Sequence, residues 1–182
     1  MTEGRIWFHG NPWPEGHTIA EFAWTARTVG SAVWLDLHLR SADYDSERVI
    51  PDDESIEESW RAPAVWGNFH ACTLSSTHWG GNPGFRAGRA VDWGPEWLDG
   101  RVFEVDSVGD VVRDADRHAF HIYLLGHDAV ANHRIAFKRR GDDVRFDIEW
   151  QGRIALRYSG RRRLEHAFTA RITDVAMPMF PS

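Results

Sequence analysis

Residues 33–39 read VWLDLHL, and this stretch decides the fold class. The odd positions are all aliphatic, whereas the even positions carry Trp, Asp and His. Because successive side chains of a β-strand point to opposite faces, this alternation predicts a half-buried strand. Residues 20–26 alternate in the same way, so the two stretches together predict a hairpin. Pairing Trp24 with Leu35 puts both apolar sets on one face and leaves residues 28–31 as a four-residue connection.

The C-terminal third, about residues 133–175, predicts a four-stranded antiparallel meander. Four segments carry apolar side chains at every second position, and Gly-containing turn signals separate them. Ile148 and Ile154 must both face inward, so their strands must pair in a register that preserves side-chain parity. A three-residue loop at residues 150–152 would satisfy that condition, and it predicts a tight hairpin there.

Shorter apolar segments predict further strands at residues 5–8, 65–74, 101–107 and 118–126. The last of these is apolar on both faces, as a covered central strand would be. Helix is scarce: Ser55 to Glu58 matches a capping box, which predicts one or two helical turns ending before Pro63. Nine or so strands with little helix predict a single all-β domain over residues 1–182, either an antiparallel β-sandwich or a barrel.

The composition limits the cellular compartment and the classes of partner that we expect for this protein. The chain has 182 residues, a formal net charge of −6 and one cysteine, Cys72, so it forms no intramolecular disulfide. We therefore expect a cytoplasmic protein. No stretch approaches the length of about 18 apolar residues that a membrane helix needs, so we expect no membrane partner. The basic residues alternate with acidic ones on strands, so we expect no nucleic-acid partner.

Tryptophan is concentrated in the N-terminal half, where nine of the ten Trp residues lie within the first 97 positions. The segment of about residues 75–100 lacks clear periodicity and is rich in Trp and Gly, so it predicts a long loop. Long loops on a β scaffold often carry function. Its aromatic and polar side chains make it our candidate ligand site, with six residues that we select as contacts: His78, Trp79, Arg86, Asp92, Trp93 and Trp97. In the alternative interpretation, these Trp residues plug one end of the barrel or sandwich.

We find no motif that names a reaction: GxSxG, P-loop, GxGxxG and HExxH patterns are all absent. The leading hypothesis is therefore a non-catalytic module that binds a small sugar-like or aromatic molecule and needs no cofactor. Trp79, Trp93 and Trp97 would stack on the ligand, and Asp92, Arg86 and His78 would supply polar contacts.

Two hypotheses from other classes remain open. The first is a protein–protein interaction module or homodimer, with either the acidic N-terminal segment or the arginines of the meander's outer face as the contact surface. The second is a metal-dependent enzyme that uses some of the histidines at positions 70, 118, 121 and 127. Paired carboxylates at Asp92/Glu96 and Glu96/Asp99 also leave a glycosidase open. We expect Cys72 to be a buried, unreactive thiol rather than a nucleophile.

Overall fold

A computed structural model of the protein describes residues 3–50, 60–80 and 84–179. Within these ranges there are ten strands, two short α-helices and three 3-10 turns. The strands are β1 Glu3–Phe8, β2 His17–Val29, β3 Ala32–Ser41, β4 Thr73–Ser75, β5 Phe85–Arg89, β6 Val102–Val105, β7 His121–Tyr123, β8 His127–Arg139, β9 Arg145–Ala155 and β10 His166–Ala176. The helices are α1 Pro63–Gly67 and α2 Pro95–Leu98. The helix predicted to begin at Ser55 lies outside the described residues.

Eight of the strands form a closed antiparallel barrel. Their order is β2-β1-β10-β9-β8-β7-β4-β3, and pairing between β2 and β3 closes the ring. The prediction of an all-β antiparallel fold is confirmed, and of the two predicted architectures the chain adopts the barrel. An eight-stranded barrel is just wide enough for side chains to fill its interior. The inward faces supply that core, which includes Leu37, Ile122, Phe137, Trp150 and Ile172.

The predicted hairpin of β2 and β3 is confirmed, but its register is wrong by two residues. Trp24 pairs with Leu37, and Ala26 is the residue that pairs with Leu35. Both strands continue beyond the predicted ends, so Gly30 and Ser31 alone form the turn. Gly30 has φ +60°, the sign that a type II′ turn requires at its first central position. The apolar faces still coincide, because a shift of two residues preserves side-chain parity.

The C-terminal meander is present with three strands rather than four, namely β8, β9 and β10. The predicted loop at residues 150–152 is wrong, since β9 runs unbroken from Arg145 to Ala155. A single continuous strand also places Ile148 and Ile154 on the same face, so the parity condition did not require a turn. Gly152 is explained by close packing instead: a Cβ there would lie 2.5 Å from the ring of Phe168.

The remaining predicted strands are confirmed at residues 5–8 and 101–107, where β1 and β6 lie. The prediction for residues 65–74 is wrong in its first half, because α1 begins at Pro63 and only β4 is a strand. A proline is well placed at the first position of a helix, where its missing N–H has no intrahelical acceptor. The predicted strand at residues 118–126 shortens to β7 because the amides of Ala119 and Phe120 donate to a side chain instead of a ladder.

An aromatic cluster beside the end of β1 and the start of β2 contains three of the tryptophans. Trp13, Trp60 and Trp66 are 8%, 2% and 0% exposed. Trp13 and Trp66 contact His17 and Tyr44, and Trp60 packs on Trp66. These three tryptophans belong to the hydrophobic core, and they lie outside the Trp/Gly-rich segment. No helix in the described part of the chain is long and apolar enough to cross a membrane.

Candidate ligand site in the barrel wall

A gap in the barrel wall separates β5 from β6. β4 and β5 pair with different parts of β3, and β7 and β6 pair with different parts of β8. β4 and β7 pair with each other and close the wall, whereas the described residues show no pairing between β5 and β6. The rings of Phe85 and Phe103 lie 5.4 Å apart, so the two strands are neighbours despite the missing ladder. Each strand therefore leaves one edge unpaired.

A cleft of about 300 Å³ occupies this gap. Its walls are the aromatic rings of Phe85 and Phe103, and its rim carries Arg86 and Arg117. Asp106 and Ala119 also line it. Its exposed lining is more polar than apolar, and its volume is at the lower end of the range of about 300–1,000 Å³ that small-molecule sites occupy. A ligand here would be the size of a single ring.

Asp106, which follows β6, forms the polar floor of the cleft. Its backbone adopts the left-handed conformation with φ +53°. One carboxylate oxygen accepts a hydrogen bond from the Ala119 amide at 2.9 Å, and the other accepts from the Phe120 amide at 3.3 Å. Burial raises the pKa of Asp106 above its usual value, because desolvation disfavours the charged form.

His133 lies behind Asp106 and is fully buried. It sits in a bulge of β8, where the pairing with β9 shifts between Ala131 and Arg134. The Trp150 indole N–H donates to His133 Nδ1 at 3.1 Å. An indole nitrogen can only donate, so Nδ1 is the acceptor and the proton of the neutral imidazole lies on Nε2.

The electrostatics keep this imidazole uncharged. Burial, followed by the nearby His118, lowers the pKa of His133 to about 3. The Nε2 nitrogen faces Asp106 Oδ2 at a distance of 3.8 Å, and it has no hydrogen-bond partner among the described residues. Asp106 therefore lines the cleft, whereas His133 is buried behind it and does not line the cleft.

Three of the six predicted site residues gather at this gap. Arg86 lies on the rim of the cleft. Trp97 packs directly on Gly88 of β5, where a Cβ would lie 2.6 Å from the indole, and its ring centroid is 6.3 Å from that of Phe103 on β6. Trp97 thereby bridges the two strands beyond the cleft, and Trp93 packs beside it with ring centroids 6.0 Å apart.

The other three predicted residues lie elsewhere. Asp92 forms an ion pair with Arg89 at 2.8 Å on the surface. His78 and Trp79 contact each other in an edge-to-face arrangement, with ring centroids 4.9 Å apart. The structure therefore does not bring all six side chains together, because β5 divides the segment and leaves His78 and Trp79 on the far side.

Trp79 lies in a second, smaller cleft of about 210 Å³ on the outer face of β7 and β8. His121 and His127 flank its indole, with centroid distances of 6.2 and 6.3 Å. Arg157 and Asp116, which form an ion pair at 3.5 Å, also line this cleft. It has aromatic and charged groups in a space about two-thirds as large as the cleft beside Asp106.

The histidines considered as metal ligands are distributed over separate sites. His118 Nδ1 is 2.9 Å from the Val130 carbonyl oxygen, His121 and His127 flank Trp79, and His70 is exposed. The described residues contain no group of three or more His, Cys, Asp or Glu side chains placed to hold a metal ion. Cys72 is fully buried, and burial raises the pKa of its thiol well above the usual value.

Sequence reasoning missed Asp106 and His133, which only long-range pairing brings together. One signal was available for His133: it has the same parity as Ile135 and Phe137, which predicts an inward-facing histidine on an apolar face. Asp106 carries no comparable signal, since a carboxylate after a short strand is usually solvated.

Comparison with known proteins adds no assignment for this site. No protein family, curated protein or solved structure matches the chain.

Proposed function

We propose that this protein is a non-catalytic binding module for a small, ring-sized molecule of sugar-like or aromatic character. The site would be the cleft between β5 and β6. One observation carries the proposal: the two strands added to the closed barrel, β5 on β3 and β6 on β8, leave their facing edges unpaired, and a hollow with a buried carboxylate opens between them.

The lining of the cleft supports ligand binding. Phe85 and Phe103 offer apolar ring surface, and Asp106 offers a fixed acceptor whose position two backbone amides determine. Small-molecule sites combine these two features, with apolar walls for affinity and a few placed polar groups for orientation. Arg86 and Trp97, both chosen from the sequence, flank the same gap.

The chemistry of the floor favours binding over catalysis. A general base needs a free lone pair, and the lone pair of His133 already accepts the hydrogen bond from Trp150. Its low pKa also keeps the imidazole neutral at physiological pH. Asp106 is engaged by two amides that hold its carboxylate in place. Asp106 is therefore suited to accepting a hydrogen bond from a ligand, and His133 is not placed to transfer a proton to one.

Substitution of Phe103 by leucine tests the proposal. F103L removes a flat ring from the cleft wall but keeps an apolar side chain, so the barrel should still fold. In a screen of sugars, nucleotides and aromatic metabolites, we expect a saturable change in Trp fluorescence with the wild-type protein, because Trp97 adjoins Phe103. We expect F103L to weaken binding at least tenfold.

Val102 provides the matched control. It is the neighbouring residue on β6, is 42% exposed and does not line the cleft. V102A should bind like the wild type. Equal binding by F103L and the wild type, or equal losses in F103L and V102A, would contradict the placement of the site.

A further inference from the structure

Strand β2 has one edge that lacks a partner strand over most of its length. β1 pairs with β2 only at His17 and Thr18, whereas β3 follows the opposite edge as far as Val29. No other strand in the described part of the chain pairs with residues 21–27. A long exposed strand edge is a template for pairing with another strand. This edge of β2 is therefore a candidate interaction surface, and it lies on a different strand from the proposed ligand cleft.

The backbone groups that face this edge can be identified from the neighbouring strand. Trp24 pairs with Leu37 of β3. The Leu37 amide donates to Ser76 Oγ at 3.1 Å, and the Leu37 carbonyl accepts from the Ser76 amide at 2.9 Å, so both groups point away from β2. In an antiparallel ladder the residue opposite also points its N–H and C=O away, and this orientation recurs at every second residue. Phe22, Trp24 and Ala26 therefore present backbone donors and acceptors at the edge.

The side chains around Trp24 leave room for a neighbouring strand. The Trp24 indole points inward, where it stacks on Phe137 with ring centroids 5.4 Å apart and donates to the Ala176 carbonyl at 2.8 Å. Ala23 and Thr25 on the outer face are small and exposed. The centre of the edge is thus anchored to the core by its inner side chain and carries only small outer side chains.

The charges along this edge fit a second copy of β2. Antiparallel pairing of two copies about a two-fold axis at Trp24 places Glu21 of each copy opposite Arg27 of the other. Both side chains are accessible, with exposed fractions of 58% and 39%. They would meet in non-hydrogen-bonded pairs, where the Cα atoms approach to about 4.5 Å and opposite charges stabilise the pairing. An axis at Ala23 or Thr25 would instead place Glu21 opposite an uncharged residue, so the charges select the register.

The partners of these charges within one copy support the same arrangement. Glu21 pairs with Arg40 at 3.4 Å, and Arg27 pairs with Asp36 at 3.0 Å. A carboxylate and a guanidinium group can each bond to several partners, so these contacts do not exclude a contact across the dimer. Positive and negative charges would then alternate from β3 of one copy, through both copies of β2, to β3 of the other.

We propose that the protein forms a symmetric homodimer in which the β2 edges of two copies pair, with Trp24 on the two-fold axis. The intermolecular ladder spans residues 21–27 of each copy and continues the sheet of β3 and β2 across the dimer. Such a contact uses the same surface patch on both copies, which is the commonest arrangement in homo-oligomers. The proposal is independent of the ligand cleft.

Sedimentation and amide hydrogen exchange on the wild-type protein test the dimer and its interface. The mass should change from that of a monomer to that of a dimer as the concentration rises from the micromolar to the millimolar range. Over the same range the amides of Phe22, Trp24 and Ala26 should become protected from exchange. Those of Ala23 and Thr25 should be protected at every concentration, because they bond to β3. A strictly monomeric protein, or a dimer that protects other amides instead, would overturn the proposal.

Two charge variants test the register, because it places Ala23 of each copy opposite Thr25 of the other. A23K/T25K would bring like charges together twice across the interface, so its dimer dissociation constant should rise at least tenfold. A23E/T25K is the matched control: it would bring opposite charges together and should dimerise at least as tightly as the wild type. Both positions are exposed, so the two variants should fold like the wild type. Equal dissociation constants for the two variants would contradict the register.

Discussion

Lowering the pH from 8 to 5 should destabilise the barrel because two buried histidines are neutral in the folded state. His17 is 1% exposed and packs among four aromatic rings. Burial, followed by the charge of Arg48, lowers the pKa of His17 from 6.5 to about 4. Burial lowers the pKa of His133 to about 3. The unfolded chain therefore binds protons that the folded chain does not, and stability falls as the pH drops below about 6.5.

The magnitude follows from these pKa values. Linkage gives a loss of about 2 kcal/mol at pH 5 for each histidine, or about 4 kcal/mol together. For His17 the loss continues until the pH reaches its folded pKa near 4 and is constant below it. A total of about 4 kcal/mol is a large share of the 5–15 kcal/mol or so that stabilises a typical domain.

Urea unfolding followed by Trp fluorescence at both pH values measures this loss. His17→Phe keeps an aromatic ring in the cluster but cannot take up a proton, so its loss between pH 8 and pH 5 should be smaller than that of the wild type by about 2 kcal/mol. His70→Gln, at an exposed position, is the control and should lose as much as the wild type. If H17F loses as much stability as the wild type, the reasoning is refuted.

Two further predictions concern packing and the thiol. Gly152→Ala should destabilise the protein by about 1–3 kcal/mol, because its Cβ would lie 2.5 Å from Phe168 and 2.9 Å from His133 Nδ1. Gly109→Ala, where the Cβ meets open space, should change the unfolding midpoint little, and equal effects of the two variants would contradict this explanation. Cys72 should react with a thiol reagent only at the rate of unfolding, because burial raises its pKa and excludes the reagent. Rapid labelling of the native protein would refute this.

Alternation along the chain predicted the long strands and their inward faces, but not β5, which lies within the segment expected to be a loop. Residues 33–39 and the C-terminal segments lie on the faces that their parity predicts. Registers were less predictable, because they depend on turn type and strand length. The two-residue turn at Gly30 and the shift from Leu35 to Leu37 as the partner of Trp24 illustrate this dependence.

Gly152 shows why some local signals mislead. A glycine in an apolar alternation is compatible either with a turn or with the close approach of another side chain. The ring of Phe168 decides between them, and β10 brings that ring to Gly152 only after the sheet forms. The sequence alone does not show which side chain will pack against Gly152.

The candidate site was predictable only in part, for a similar reason. Arg86 and Trp97 belong to a segment whose composition indicated a site, and they flank the cleft. The floor depends on the pairing of β6 with β8, which places Val105 opposite His133 and brings Asp106 next to it. A gap between two strands is a property of the closed sheet, so no single stretch of sequence predicts it.

Chemical-shift mapping with the best ligand from the fluorescence screen tests the central claim most directly. We predict that the largest shifts will fall on the amides of Ala119 and Phe120 and on the Trp97 indole, which surround the gap between β5 and β6. Shifts centred on Trp79 and His127 would place the ligand in the cleft beside Trp79 and contradict the account.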